Sequence, residues 1–449
     1  MHIPSTIDAV LARFPERLAT RAVVLAPGAA SACAPALTQH LPPGPWLIAA
    51  DDNTWQAAGA TLAKHLNAHQ LPWTRYDVPT PPGERWPGCD DASIAAFKAA
   101  LQASGCAAAI AIGAGTINDI VKRACYELGR PYAVVATSPS MNGYTSAIAA
   151  VLSDGVKTTI PATPPVVVVA DTHVLADSPY RMIASGLGDL LSKPVSNADW
   201  IVSAHLTGSP HSADAMEVIE LGSAMLDNVA HRLPARELGA IEGLTGSLIL
   251  SGLAMSIAGS SSPASGGEHL ISHYIDMTAH TFGLPYDFHG CQVGVGTLTA
   301  AHLYERLRAY GPDAIDVEAR VAALPAWEDH AAELARRFGP LTDAVLPHAR
   351  KGYPTPDALR ARLHKLKDGW HTIFEEAGRT LRTRASIEAE LRQAQAPVRF
   401  AELDVTRSRA REAIVWSKDI RARYTILHVC WELGMLDVWA DEALELLYQ

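Results

Sequence analysis

Paired cysteines are missing from this sequence. Its six cysteines, Cys33, Cys89, Cys106, Cys125, Cys291 and Cys430, are scattered with no CxxC spacing, which argues against zinc fingers and disulfide scaffolds and fits a reducing compartment. Basic charge is also short: 37 Lys and Arg stand against 47 Asp and Glu, a net charge of −10. A nucleic-acid partner needs a basic surface field and is not expected. Anionic small molecules stay open, because a metal or local backbone dipoles outweigh the global charge. The longest apolar run, 248–258, is interrupted by Ser251 and Gly252 and falls well under the ~20 residues that cross a bilayer. The opening segment MHIPSTID has no basic region followed by an apolar core, so neither a signal peptide nor a membrane partner is expected, and a cytoplasmic location is.

With 449 residues, 48% hydrophobic and 19% charged, the chain is too long for one typical core, and two domains are the default. Unbroken apolar runs at 22–25, 46–50, 107–112, 132–136 and 166–170 suit parallel strands buried on both faces. Helical stretches at 54–66, 92–103 and 117–128 separate them in a βαβ pattern. After Asp171 the strand signals fade and long helices dominate, with Asp177, Ser178 and Pro179 reading as a hinge. The fold class expected is α/β: a Rossmann-like parallel-sheet domain over 1–178, binding a dinucleotide, then a mostly α-helical metal and substrate domain over 179–449. A ligand cleft between the two is the usual arrangement.

Several segments could carry chemistry. Residues 113–119 (GAGTIND) follow a strand and open a helix, a turn at which backbone N–H groups approach a phosphate; the third glycine of the dinucleotide fingerprint is absent, and a purely structural turn competes. Residues 137–146 (TSPSMNGYTS) give a polar loop at the end of the next strand, where this fold class places its ligand, or an ordinary Ser-rich loop. Asp51 and Asp52 end another strand, suited to a ribose or to a helix cap. In 184–193 (ASGLGDLLSK), Asp189 needs a partner if buried, which a metal or Lys193 at i,i+4 supplies. His269, His273, Asp276 and His280 lie near one helical face at offsets of 4, 7 and 11. Imidazoles four apart converge on a metal, and a wet helix face is the competing reading. One Asp with two His forms a three-ligand site with open positions.

Together these segments, with 170–172 (ADT), Asp199-Trp200, and 262–269 (SPASGGEH) through His289-Gly290, resemble in order the metal-dependent polyol dehydrogenases related to glycerol dehydrogenase and dehydroquinate synthase, most closely the sn-glycerol-1-phosphate dehydrogenases. The match runs over roughly residues 20 to 305. The resemblance implies that Asp189, His269 and His289 hold a divalent metal, zinc first, with nickel or iron as alternatives. His273 falls at a substrate-contacting, catalytic position, and Asp189 is catalytic and substrate-binding through the metal. Gly115, Thr116, Ile117, Asn118, Asp119, Thr137, Ser138, Pro139, Ser140 and Ser146 fall on positions for NAD or NADP. Asn142 falls where the family commonly has a substrate-binding Asp; here MNG replaces HDG, which bears on the substrate more than on the reaction.

The resulting expectation is reversible reduction of dihydroxyacetone phosphate to sn-glycerol 1-phosphate by NADH or NADPH, in a homo-oligomer. Lys193 and the loop 140–146 are lesser candidates for the anionic end. Rival readings are a polyol dehydrogenase on glycerol or another sugar alcohol, a dehydroquinate-synthase-like lyase, and a degenerate scaffold protein. The lyase needs more Lys and Arg than Lys122, Lys157, Arg181 and Lys193 supply. The intact Asp189, His269 and His289 set speaks against the scaffold. Asp276 and His280 read as ordinary polar residues, and the charged C-terminal helices as solvated surface or a subunit contact.

Overall fold

A computed structural model describes residues 2–81, 83, 86–153 and 156–448. Its sheet has six parallel strands: β1 (Ala22–Ala26), β2 (Trp46–Ala50), β3 (Trp73–Asp77), β4 (Ala108–Gly113), β5 (Tyr132–Ala136) and β8 (Val167–Asp171), in the order β1-β8-β5-β4-β2-β3. The central strands β2, β4, β5 and β8 are buried along their whole length, as the unbroken apolar runs predict. Strand β3 is not among the expected ones, because Thr74, Arg75 and Asp77 break the apolar run. It lies at the sheet edge, half-buried to exposed, where one side need not be dry. A separate antiparallel hairpin, β6 (Ile148–Ser153) with β7 (Val156–Pro161), follows the polar loop after β5.

The chain divides into two compact units, Met1–Leu190 with Ala213–Ser260, and Leu191–Ser212 with Ser261–Gln449. The first holds the Rossmann-like sheet; in the second every described element is helical. The division differs from the expected break at 178. The reason is packing: helices Thr172–Asp177 and Tyr180–Leu190 lie against Leu238–Ala258, which returns to the first unit. That 21-residue helix is long and apolar enough to cross a membrane by length and composition, but nearly all of it is buried within the protein. Apolar residues all round the helix mark it as a core element.

Candidate metal and substrate site

In the first unit the candidate cofactor residues lie on the helix after β4 and the loop after β5. Helix Gly115–Leu128 begins directly after β4, and no side chain caps its start, so its first N–H groups face outward as a phosphate cradle would require. Asn118 and Asp119 turn inward. Asn118 accepts from the Tyr132 hydroxyl at 3.1 Å and donates to Asp119 Oδ1 at 3.0 Å. Asp119 accepts from the Ala150 N–H at 2.9 Å and pairs with Lys122 Nζ at 3.2 Å. The fully buried Lys122 then donates to the Gly143 and Ile148 carbonyls at 2.6 and 3.0 Å. This chain of bonds ties the loop 137–146 and the hairpin to the helix, giving both residues a structural task whatever they offer a cofactor.

The same loop is clamped from below by two helices. Ser185 Oγ donates to the Ser140 carbonyl at 3.0 Å, and Thr145 Oγ1 to the Ile249 carbonyl at 2.8 Å. Gly186 and Gly252 make that approach possible. A Cβ on Gly186 would stand 1.8 Å from the Pro139 carbonyl oxygen, and one on Gly252 2.2 Å from Thr145 Oγ1. Within the loop, Tyr144 donates to the Ser138 carbonyl at 2.8 Å and Ser146 to the Gly143 carbonyl at 2.9 Å. Thr137, Ser138, Ser140 and Ser146 are all buried.

Asp189, fully buried, accepts two bonds from Asn142: the backbone N–H on Oδ2 and the side-chain amide on Oδ1, each at 3.0 Å. The MNG departure thus has a physical content, because a neutral amide can donate where a carboxylate would have repelled. The helix bearing Asp189 ends at Leu190, and Lys193 opens the next one. Lys193 Nζ donates to Ser192 Oγ and the Ala264 carbonyl, both at 3.1 Å. Asp51 is a helix cap, exchanging bonds with Thr54, and Asp52 pairs with Arg75.

In the second unit, helices Gly267–Phe282 and His289–Tyr310 pack closely; a Cβ on Gly296 would meet the Glu268 carbonyl oxygen at 2.7 Å. That approach gathers His269, His273 and His289, with ring centroids 6.2, 5.1 and 5.4 Å apart in the pairs 269–273, 269–289 and 273–289. Asp276 joins them. Its ligand atom lies within 4.8 Å of those of His273 and His289, it is 1% exposed, and it accepts from Gln292 Nε2 at 2.7 Å. Its burial shows that this is not a wet helix face, and the offset of three from His273 puts the two side chains on one side of the helix. His280 sits instead against Tyr286, ring centroids 5.0 Å apart.

The imidazoles suit a divalent cation. His269 Nδ1 faces Glu268 Oε1 at 2.7 Å and His289 Nδ1 faces Ser272 Oγ at 3.1 Å. Both contacts are made through Nδ1, and outer partners of this kind orient ligating histidines. Zinc, nickel and iron all accept imidazole.

Under this site lies Asp199, which sequence reasoning did not single out beyond its place in a motif. It accepts from the Gly267 and Ile426 N–H groups, each at 2.7 Å, and from the Tyr304 hydroxyl at 2.6 Å. Burial first, then the Glu268 charge, push its carboxyl up to about 7 against the pull of those donors. An unfolded Asp titrates near ~3.9, so between about pH 4 and 7 the folded protein holds the extra proton and stability falls as pH rises through that window. Asp199→Asn should flatten this decline. Denaturant unfolding of both proteins across the window checks it, and an unchanged slope in the variant would count against the assignment.

Known proteins resemble this chain in sequence and in fold. The iron-containing alcohol dehydrogenase family matches residues 24–179. The NAD(P)+ glycerol-1-phosphate dehydrogenase of Bacillus velezensis is 31% identical over 386 residues, covering 85% of this chain and 84% of that protein. Its namesake in Bacillus licheniformis is 33% identical over 330 residues, 73% of this chain and 68% of that protein. The crystal structure of a probable glycerol dehydrogenase from Sinorhizobium meliloti shares the fold, with a TM-score of 0.62 at 17% identity, covering 94% of this chain and 98% of that one. Identity at this level across most of both sequences means that the chain belongs to the glycerol-1-phosphate dehydrogenase family, NAD(P)-dependent alcohol dehydrogenases of the iron-containing type.

Proposed function

We propose that this protein catalyses the reversible reduction of dihydroxyacetone phosphate to sn-glycerol 1-phosphate by NADH or NADPH in the cytoplasm, with Asp189, His269 and His289 as ligands of one divalent metal, zinc first. The observation that carries the reading is the gathering of three imidazoles on two packed helices, in a family whose curated relatives bear this activity in their names. A metal there supplies Lewis acidity toward the substrate's C2 oxygen, while the nicotinamide supplies the hydride.

The chain's own residues do the rest. Asn142 holds Asp189 in one rotamer through two hydrogen bonds, so the carboxylate does not reorganise during the reaction. In this reading His273 gives the C2 oxygen its proton in the reduction and takes it back in the reverse direction; its burial at 8% exposed and its stacking on His289 at an interplanar angle of 26° support the role. Each reduction then consumes one ketone, one reduced nicotinamide and one proton. The uncapped start of helix Gly115–Leu128 receives the cofactor's phosphates, and the clamped loop 137–146 forms the floor on which the nicotinamide half rests.

Purified protein mixed with dihydroxyacetone phosphate should oxidise reduced nicotinamide, read by its absorbance, and a strong chelator should stop it. No metal-dependent oxidation would sink the reading. Oxidation with dihydroxyacetone but not its phosphate would transfer the enzyme to the polyol class, and substrate turnover without net cofactor consumption to the lyases.

A further inference from the structure

Glu268 is a carboxylic acid in an expensive place. It is 0% exposed, and Oε2 has no hydrogen-bond partner among the described residues. Its neighbour is another carboxylate: a Cβ on Gly266 would lie 2.8 Å from Glu268 Oε2 and 2.5 Å from Asp199 Oδ2. A buried acid with one oxygen unpartnered costs stability, although the buried Arg423 guanidinium faces both acids with the opposite charge. Some of that cost is offset locally. Glu268 lies in the first turn of its helix, and Oε1 accepts the Gly266 N–H at 2.8 Å, a cap that Gly266, which has no room for a side chain, cannot supply itself. Capping does not account for the second contact of Oε1, 2.7 Å from His269 Nδ1. A carboxylate can only accept, so that contact holds the ring proton on Nδ1 and the lone pair on Nε2.

We propose that Glu268 is a positioning residue for metal binding: it fixes the tautomer and ring orientation of His269 so that Nε2 meets the ion, and its charge strengthens that nitrogen as a donor. The proposal rests on His269 being a metal ligand. It also explains why a destabilising acid sits beneath the site.

Two variants separate this from a capping role. Glu268→Gln keeps an oxygen that can accept from Gly266 and His269 but loses the charge; Glu268→Met keeps the volume and loses the acceptor. Nitrogen NMR of the metal-free protein should find His269 with its proton on Nδ1 in the wild type and in Glu268→Gln, and a mixture in Glu268→Met. Zinc affinity by competition with a chelator should fall roughly 10–100-fold in Glu268→Met, the usual cost of losing an outer partner, and less in Glu268→Gln. The unfolding midpoint of metal-free Glu268→Gln should match or exceed that of the wild type, because the amide that replaces the unpartnered Oε2 can donate to the neighbouring Asp199 carboxyl. A pure cap predicts that midpoint and affinity fall together. The proposal is overturned if Glu268→Met keeps both the tautomer and the affinity, or, should that variant not fold, if Glu268→Gln loses stability while binding zinc as the wild type does. Failure of the wild type to bind zinc would remove the metal reading itself, while the tautomer in metal-free protein would still test whether Glu268 orients His269.

Discussion

Replacing Asp189 with Asn is expected to abolish most bound metal and most activity, because it removes the only anionic donor in the proposed ligand set. Loss of an outer partner costs ~10–100-fold, so loss of a ligand should exceed ~100-fold in both metal affinity and kcat/KM. The variant should also be less stable without metal. Both Asp189 oxygens face donors of Asn142, and an amide has one acceptor, so its NH2 would be pressed against an N–H at a cost of ~1–3 kcal/mol. The exchange Asn142→Asp with Asp189→Asn isolates the two effects. There the backbone N–H of residue 142 meets the new amide oxygen, and the new amide donates to the new carboxylate. Stability should return in the double variant and metal should not. Metal content by elemental analysis and unfolding midpoints decide: full metal in the single variant would remove Asp189 from the site, and recovery in the double variant would show that the pair's charge matters more than its position.

The second large effect is expected at Gly186. In an ordinary helix interior Gly→Ala stabilises by ~0.5–1 kcal/mol through backbone entropy. Here the added methyl would lie 1.8 Å from a backbone oxygen of the loop 137–146, and overpacking of that kind costs ~1–3 kcal/mol or more. The clash outweighs the propensity gain, so Gly186→Ala should lower the unfolding midpoint and, by pushing Pro139 and Ser140 outward, raise the KM for the nicotinamide cofactor. A stabilised variant with an unchanged KM would show that the loop is neither clamped by this helix nor part of the cofactor floor.

Most of the sheet was legible because strands buried on both faces announce themselves as unbroken apolar runs; β2, β4, β5 and β8 all do. Strand β3 was not, since an edge strand keeps its polar residues. The histidine stripe showed in the spacing of His269 and His273, but not which neighbours would join it. Asp276, Glu268 and Asp199 owe their burial to helices distant in sequence, including the one that places Ile426. The break near 178 was misplaced for a related reason. Pro179 signals a local turn, whereas the assignment of 213–260 to the first unit follows from which apolar faces meet.

That discontinuous first unit has a consequence for handling the gene. The polypeptide passes from one unit to the other after Leu190, again after Ser212 and again after Ser260, so no single cut yields either unit whole. A fragment ending at Leu190 would leave bare the surfaces that Leu238–Ala258 covers, and should precipitate rather than fold as a cofactor-binding module. Recombining cofactor and substrate preferences between relatives would therefore require exchanging three junctions at once, and chimaeras joined at the Pro179 turn should be recovered as insoluble protein.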